Sequence, residues 1–285
     1  MTPPTVAERG AGERVSGGAG LGAGLRLLLT RRWLLALAAA ILFAVAAWYL
    51  GGWQWGRYET KAARADRIEA HYAAPAVPLT SVLTDAPLPL ADEWTRVSAT
   101  GQYVADEQVL VRNRPWDGTY GYEVLIPFTL DDGGTVLVDR GWVANSPEGA
   151  DVTPEVPAVP AGSIDLTGWL RQGEVSLHRD MPQGQLASIN IGEAERAAGT
   201  SLLGGYLVLE GESNHDGATP ARPQALEEPD TGTGPHMAYA IQWWGTMPAG
   251  FVLVLLGLRR ELQEGQTSGR PARERKVRIW DEEDD

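Results

Sequence analysis

Cysteine is missing from the 285-residue chain, which excludes disulfides, thiolate metal sites, iron–sulfur clusters and a cysteine nucleophile. Lysine is nearly missing: only Lys61 and Lys276 occur among 24 basic residues, a bias we read as genome composition and not as mechanism. A positive excess is missing too. The net charge is −13, and a general nucleic-acid binder wants a basic surface. The four histidines, His71, His178, His215 and His236, stand far apart and have no metal-ligand spacing. No G-x-S-x-G, P-loop, H-E-x-x-H or G-x-G-x-x-G motif occurs. The acidic pairs Asp92-Glu93 and Asp131-Asp132 fall in predicted turns and read as solvated loop charges.

Two long apolar runs dominate what is present. Trp33–Gly51 and Met237–Leu258 carry no charge over 19 and 22 residues. At ~1.5 Å rise per residue they span about 28 and about 33 Å, against a hydrocarbon core of about 30 Å. Aromatics flank both: Trp48, Tyr49, Trp53 and Trp55 close the first, while Tyr239, Trp243 and Trp244 open the second. Such rings prefer the headgroup layer, so the two clusters are expected at one shared interface. Arg26, Arg31 and Arg32 precede the first run, and Arg259 and Arg260 follow the second. The positive-inside rule then puts both termini in the cytoplasm, in a multi-pass protein of the cell membrane. Segment charges agree: residues 1–32 are net +3, residues 53–236 net −15 and residues 259–285 net −1. The layout expected is a disordered cytoplasmic N-terminus (1–32), transmembrane helices at 33–52 and 237–258, an extracytoplasmic domain at 53–236, and an acidic cytoplasmic tail at 259–285. Residues 1–24 are Gly/Ala-rich and polar, and the like-charge block Asp281–Asp285 reads as solvated. A cleaved signal peptide is the alternative for the first run, because Ala44-Val45-Ala46 is an A-x-A-like site. Against it, the apolar run continues through Trp48-Tyr49-Leu50.

The middle segment reads as β-rich. Residues 57–70 form a charged helix continuing from the first apolar run, and Pro75 and Pro78 end it. Strand-like runs follow at Trp94–Val104, Gln108–Arg112, Tyr120–Leu130, Thr135–Val143, Ser163–Arg171, Val175–His178, Leu186–Ile191 and Tyr206–Glu210. Asp131-Asp132-Gly133-Gly134 is a strong hairpin signal, and Gly192–Gly199 is a short helix candidate. Residues 144–162 and 213–235 read as Pro/Gly/acid-rich loops. The fold class expected is a membrane protein: two transmembrane helices flanking a β-rich (α+β) domain, a small antiparallel sandwich or open barrel.

Three clusters sharpen the reading. The first is Leu50-Gly51-Gly52-Trp53-Gln54-Trp55-Gly56-Arg57, with Lys61 four residues on. The second is Val109–Pro115, then Gly118, Gly121-Tyr122-Glu123-Val124 and Pro127, then Val136-Leu137-Val138-Asp139-Arg140-Gly141-Trp142-Val143. The third is His236-Met237-Ala238-Tyr239-Ala240-Ile241-Gln242-Trp243-Trp244. In this order and topology, over roughly residues 33–260, the chain resembles the Surfeit locus protein 1 family, which assists assembly of haem–copper cytochrome c oxidase. One departure is Ala144, where the family usually has Pro. The resemblance implies an assembly factor, not an enzyme, that acts as a chaperone of respiratory-chain biogenesis. It implies haem a as transient cargo, with oxidase subunit I, the haem a synthesis machinery and the lipid bilayer as partners.

The residues allow a physical account of that cargo. Indoles and amides from Trp53, Gln54, Gln242 and Trp243, with Tyr239 nearby, would line a slot that is apolar below and polar above. Arg57 is the nearest cation for a propionate, and His236, alone among the histidines at the head of an apolar run, is the candidate ligand to haem iron. Each residue also has a plainer role. The aromatics can be interface anchors, Gln242 an interhelical hydrogen bonder and Arg57 a snorkelling anchor. Asp139-Arg140-Gly141-Trp142 reads as structural: glycine for a turn, tryptophan for the core, an ion pair closing the strand end. Pro248 is expected to kink the second helix. Two other functions stay open: a haem-free scaffold for oxidase subunits, and a membrane-anchored hydrolase, which would need a buried Ser/His/acid cluster.

Overall fold

The computed structural model describes residues 17–149, 152–214 and 220–268. The expected disorder of residues 1–16 and the acidic block at 281–285 lie outside the described residues. The chain forms two compact units: one helical, up to Tyr58 and again from Gly234, and one β-rich, Glu59–Thr233.

The helical unit contains α1 (Gly17–Leu28), α2 (Arg31–His71), whose residues beyond Tyr58 belong to the β-rich unit, α4 (His236–Thr246) and α5 (Ala249–Ser268). Helix α1 corrects the expectation of irregular chain there: Gly17–Leu28 is helical. Within α2 the most apolar stretch has a mean hydropathy of 2.2, and the corresponding value for residues 236–265 is 1.4. Only 17% and 6% of those stretches is buried, too little for core helices of a soluble domain. Both helices are long and apolar enough to cross a membrane. Small residues let them pack closely. A Cβ on Gly257 would lie 2.4 Å from the Trp33 ring, and one on Gly250 would lie 3.0 Å from Ala40. The Trp33 indole N–H donates to Glu261 at 3.0 Å, and Arg32 lies 3.6 Å from the same carboxylate. Pro248 separates α4 from α5. It has no N–H to offer the Trp244 carbonyl, which accepts from the Met247 amide instead at 3.3 Å.

The β-rich unit holds β1 (Val77–Pro78), β2 (Arg96–Tyr103), β3 (Val109–Trp116), β4 (Thr119–Leu130), β5 (Thr135–Ala144), β6 (Ile164–Arg171), β7 (Gln185–Leu186), α3 (Ile191–Ala198) and β8 (Tyr206–Asn214). The strand order is β1-β2-β6-β8-β5-β4-β3-β7, with β2 also paired to β4. The ring β2-β6-β8-β5-β4 therefore closes into a five-stranded barrel. This corrects the expected sandwich or open barrel, and the sheet is mixed because β5 and β8 run parallel. Closure depends on Gly101, where β2 leaves β6 and turns onto β4. A Cβ there would stand 2.1 Å from the Thr129 carbonyl, so only glycine permits the corner.

Period-two alternation along the strands sorts the core into layers. Phe128, Leu130, Val136, Val138, Leu166 and Leu207 fill one cluster, while Leu125, Leu137 and Val208 face another that is covered by Ala194 and Ala198 of α3. Asn190 caps α3 by accepting the Glu193 amide, and Gly199 ends it in the left-handed region. The run 175–178 forms no strand, and of 186–191 only Leu186 pairs. After α2, Tyr72 stacks on Trp169 at 4.2 Å, and the Trp169 indole donates to the Tyr72 carbonyl. Glu93 is buried and bonds Arg171, so it is not the solvated turn charge expected.

The Asp139-Arg140-Gly141-Trp142 segment is structural, but not as expected. The partner of Arg140 is Glu212 on β8, not Asp139, and both side chains of that pair are fully buried. Gly141 sits inside β5 at φ 128°, where a Cβ would meet the Gln224 carbonyl at 2.2 Å. Trp142 pairs with Gln224 in a short bridge, and its indole donates to the Arg114 carbonyl at 2.8 Å. We expect Gly141→Ala to cost more than about 2 kcal/mol, because strain and clash add at one site. A thermal melt of the full chain, with limited proteolysis around residues 220–226, checks it; an unchanged melt would mean that the strand absorbs the added methyl without strain.

Candidate functional site

Helical periodicity places Trp48, Gly51 and Trp55 along one face of α2, with Gln54 beside them. On α4 the same rule aligns His236, Ala240 and Trp244. Ala47 and Ala240 are fully buried and bring the two helices close. Trp244 lies over Gly51, where a Cβ would come within 2.3 Å of the indole nitrogen. Its ring sits 6.2 Å from Trp48 and 5.8 Å from Trp55, both tilted by 39°.

Above this packing, His236 Nδ1 is 2.8 Å from Gln54 Oε1. The amide oxygen only accepts, so Nδ1 carries the hydrogen of this bond and Nε2 is the ring nitrogen that could face a metal. A neutral imidazole held this way can ligate a metal, and the amide fixes its orientation. The Arg57 guanidinium lies 5.4 Å from the Trp53 ring centre, within cation–π range. Trp53 is 56% exposed and Tyr239 47% exposed, so both offer open aromatic surface.

Among the residues expected at the slot, the structure pairs His236 with Gln54 and Arg57 with Trp53. It leaves Gln242 exposed and Trp243 half-buried on α4. Neighbouring residues on a helix point about 100° apart, so Trp53 and Gln54 cannot share a face. Trp244, Trp55 and Trp48, which the expected slot did not include, form the indole cluster instead. The seven-residue spacing of Trp48 and Trp55 around Gly51 was the available signal.

Among the described residues, the nearest approach to a hydrolase constellation lies in the β-rich unit. Ser176 Oγ is 3.1 Å from His178 Nδ1, and its O–H donates to Glu193. The hydroxyl proton is thus committed to the carboxylate and not to the imidazole. The His178 backbone N–H also donates to Ser176 Oγ at 3.1 Å, so this is a local turn motif.

Residues 41–247, which include every residue of the helical site, match the model of the SURF1 family. The chain belongs to the SURF1 family. SURF1-like proteins of Mycobacterium bovis and Mycobacterium tuberculosis are 36% identical over 228 residues, covering 77% of this chain and 80% of theirs. A SURF1-like protein of Dictyostelium discoideum is 32% identical over 113 residues, 38% of this chain and 42% of its own. The cytochrome oxidase assembly protein SHY1 of Saccharomyces cerevisiae is 29% identical over 113 residues, 38% of this chain and 28% of its own. The SURF1 match takes in all three motif clusters that carried the resemblance.

Proposed function

We propose that the chain is an assembly factor for haem–copper cytochrome c oxidase that holds haem a transiently and assists its insertion into subunit I. Family membership and the name of the yeast relative support the assembly role. The observation that carries the haem reading is the His236–Gln54 bond, because it leaves Nε2 to face a metal at the head of an apolar helix. Haem a suits the surroundings. Its isoprenoid tail favours lipid, its ring favours the indole of Trp243 and the phenol of Tyr239 beside His236 on α4, and a propionate favours Arg57, which Trp53 steadies from the neighbouring face of α2. Gln242 on the same helix is a further amide for a ring substituent. In this reading both termini are cytoplasmic, the β-rich unit lies outside the cell membrane, and the chain passes cargo from the haem a synthesis machinery to subunit I.

The test is purification of the full chain from cells that make haem a, followed by a visible spectrum and identification of co-purifying oxidase subunits. A haem a Soret band together with subunit I is the expected result. Subunit I without pigment would favour the haem-free scaffold. Neither pigment nor subunits would remove the reading.

A further inference from the structure

The β-rich unit holds a group of charges that the proposed function does not use. Asp139 on β5 is 1% exposed. One of its carboxyl oxygens accepts the Gly141 N–H at 3.1 Å, and the other is buried without a hydrogen-bond partner. Beside it on β4 is Glu123, and Arg114 on β3 is the cation that serves this group. Arg114 lies 2.9 Å from Glu123 and 2.6 Å from Glu174, in the segment after β6. The other titratable groups facing the cluster are Arg171 on β6 and Tyr206 on β8. Arg171 is engaged by Glu93. On α3, Glu193 bonds Ser176 and Glu195 accepts the Leu202 amide.

Charge counting decides the state of this group. Three carboxyls share one close guanidinium, and Asp139, the deepest of them, is shut off from water. Burial, and then the neighbouring Glu123, push Asp139 well above the ordinary aspartate range. Burial would raise Glu174 as well, but the hydrogen bonds from Arg114 and from the Ile189 amide outweigh it and hold Glu174 below its usual value. Burial raises Glu123 too, so Glu174 is the carboxyl whose charge Arg114 favours, while Asp139 and Glu123 are the ones whose charge burial opposes.

Glu174 is also a tether. It accepts the Ile189 amide at 2.9 Å, and its backbone carbonyl takes a bond from the Asn190 side chain that caps α3. Arg114 thus adds an ionic tie between the β3–β4 hairpin and the segment 172–190, which β7 also joins to β3. If Asp139 ionises, Arg114 faces three anions. The carboxylate easiest to release to water is Glu174, whose side chain is 35% exposed against 15% for Glu123.

We propose that Asp139, Glu123 and Arg114 form a proton-controlled latch that holds the segment 172–190 closed while Asp139 keeps its proton and loosens it when that proton leaves. The sign follows from linkage. A carboxyl raised in the folded state adds stability that is complete below the unfolded value, near pH 4 (about 3.9). That stability is lost as pH climbs to the folded value.

The test is hydrogen–deuterium exchange of the purified full chain from about pH 5 to about pH 9, corrected for intrinsic exchange. Protection of segment 172–190 should fall about tenfold through one titration in the native chain. Asp139→Asn should keep the segment protected across the range. Glu123→Gln removes the like charge, so it should move the midpoint to lower pH. A native segment whose protection does not change with pH would overturn the latch, as would a native midpoint surviving in Asp139→Asn. Should Asp139→Asn not fold, a Glu123→Gln midpoint equal to that of the native chain overturns it alone.

Discussion

Replacing His236 by alanine is expected to remove the haem a Soret band from the purified chain while leaving its fold and membrane association intact. In the proposed reading the imidazole supplies a metal ligand but little packing: it is half-buried at the first turn of α4, and among the described residues its ring bonds Gln54. Added free imidazole should restore a spectrum in the alanine variant, which a purely structural role for His236 would not allow. Gln54→Leu sharpens the result. The leucine keeps the volume but cannot hold the imidazole tautomer, so haem affinity should fall about 10–100-fold, the range seen when a supporting hydrogen bond to a ligand is lost. Trp53→Ala should weaken binding less and leave the axial ligation spectrum unchanged. Full pigment in His236→Ala would assign the ligand elsewhere, and an unchanged affinity in Gln54→Leu would reduce that bond to packing.

Much of this was legible in the sequence because the signals were local. Two uncharged apolar runs with flanking arginines give two long apolar helices. The Asp131–Gly134 turn gives the β4–β5 hairpin, and the helix read at Gly192–Gly199 is α3. What was not legible depends on partners distant along the chain. Barrel closure rests on three residue pairs between the end of β2 and the end of β4, which no strand pattern announces. The partner of Arg140 lies 72 residues away on β8, so its neighbour Asp139 was the natural but mistaken choice. At the helical site, the sequence offered a list of interface aromatics. Which of them meet was set by the glycine at position 51 and by helical phase, and it is Trp244, not Trp243, that packs on α2.

The largest stability effect is expected at Glu212. Its carboxylate takes two bonds from Arg140 and a third from the Tyr103 hydroxyl at 2.6 Å, all away from water. Arg140 also donates to the carbonyls of Pro157 and Ala221 and lies 5.2 Å from the Tyr103 ring centre. One guanidinium therefore joins β5, β8 and the two long loops. Glu212→Ala would leave that cation buried without a counter-charge, which costs about 3–5 kcal/mol. In a domain of this size each kcal/mol moves Tm by about 2–4 °C, so a fall of roughly 10 °C is expected. Arg140→Lys should be nearly as costly, because an ammonium cannot reach acceptors spread around a planar fork. Replacing both members together, Arg140→Met with Glu212→Leu, should recover much of the loss, since no unpaired charge then remains. Recovery should stay incomplete, because the Tyr103 hydroxyl loses its acceptor and an unmade buried hydrogen bond costs about 1–3 kcal/mol. Thermal melts of the three variants and the native chain decide it. A double variant no better than Glu212→Ala would mean that the pair adds net stability beyond cancelling its own charges, and that the unpaired cation is not what makes the single substitution costly.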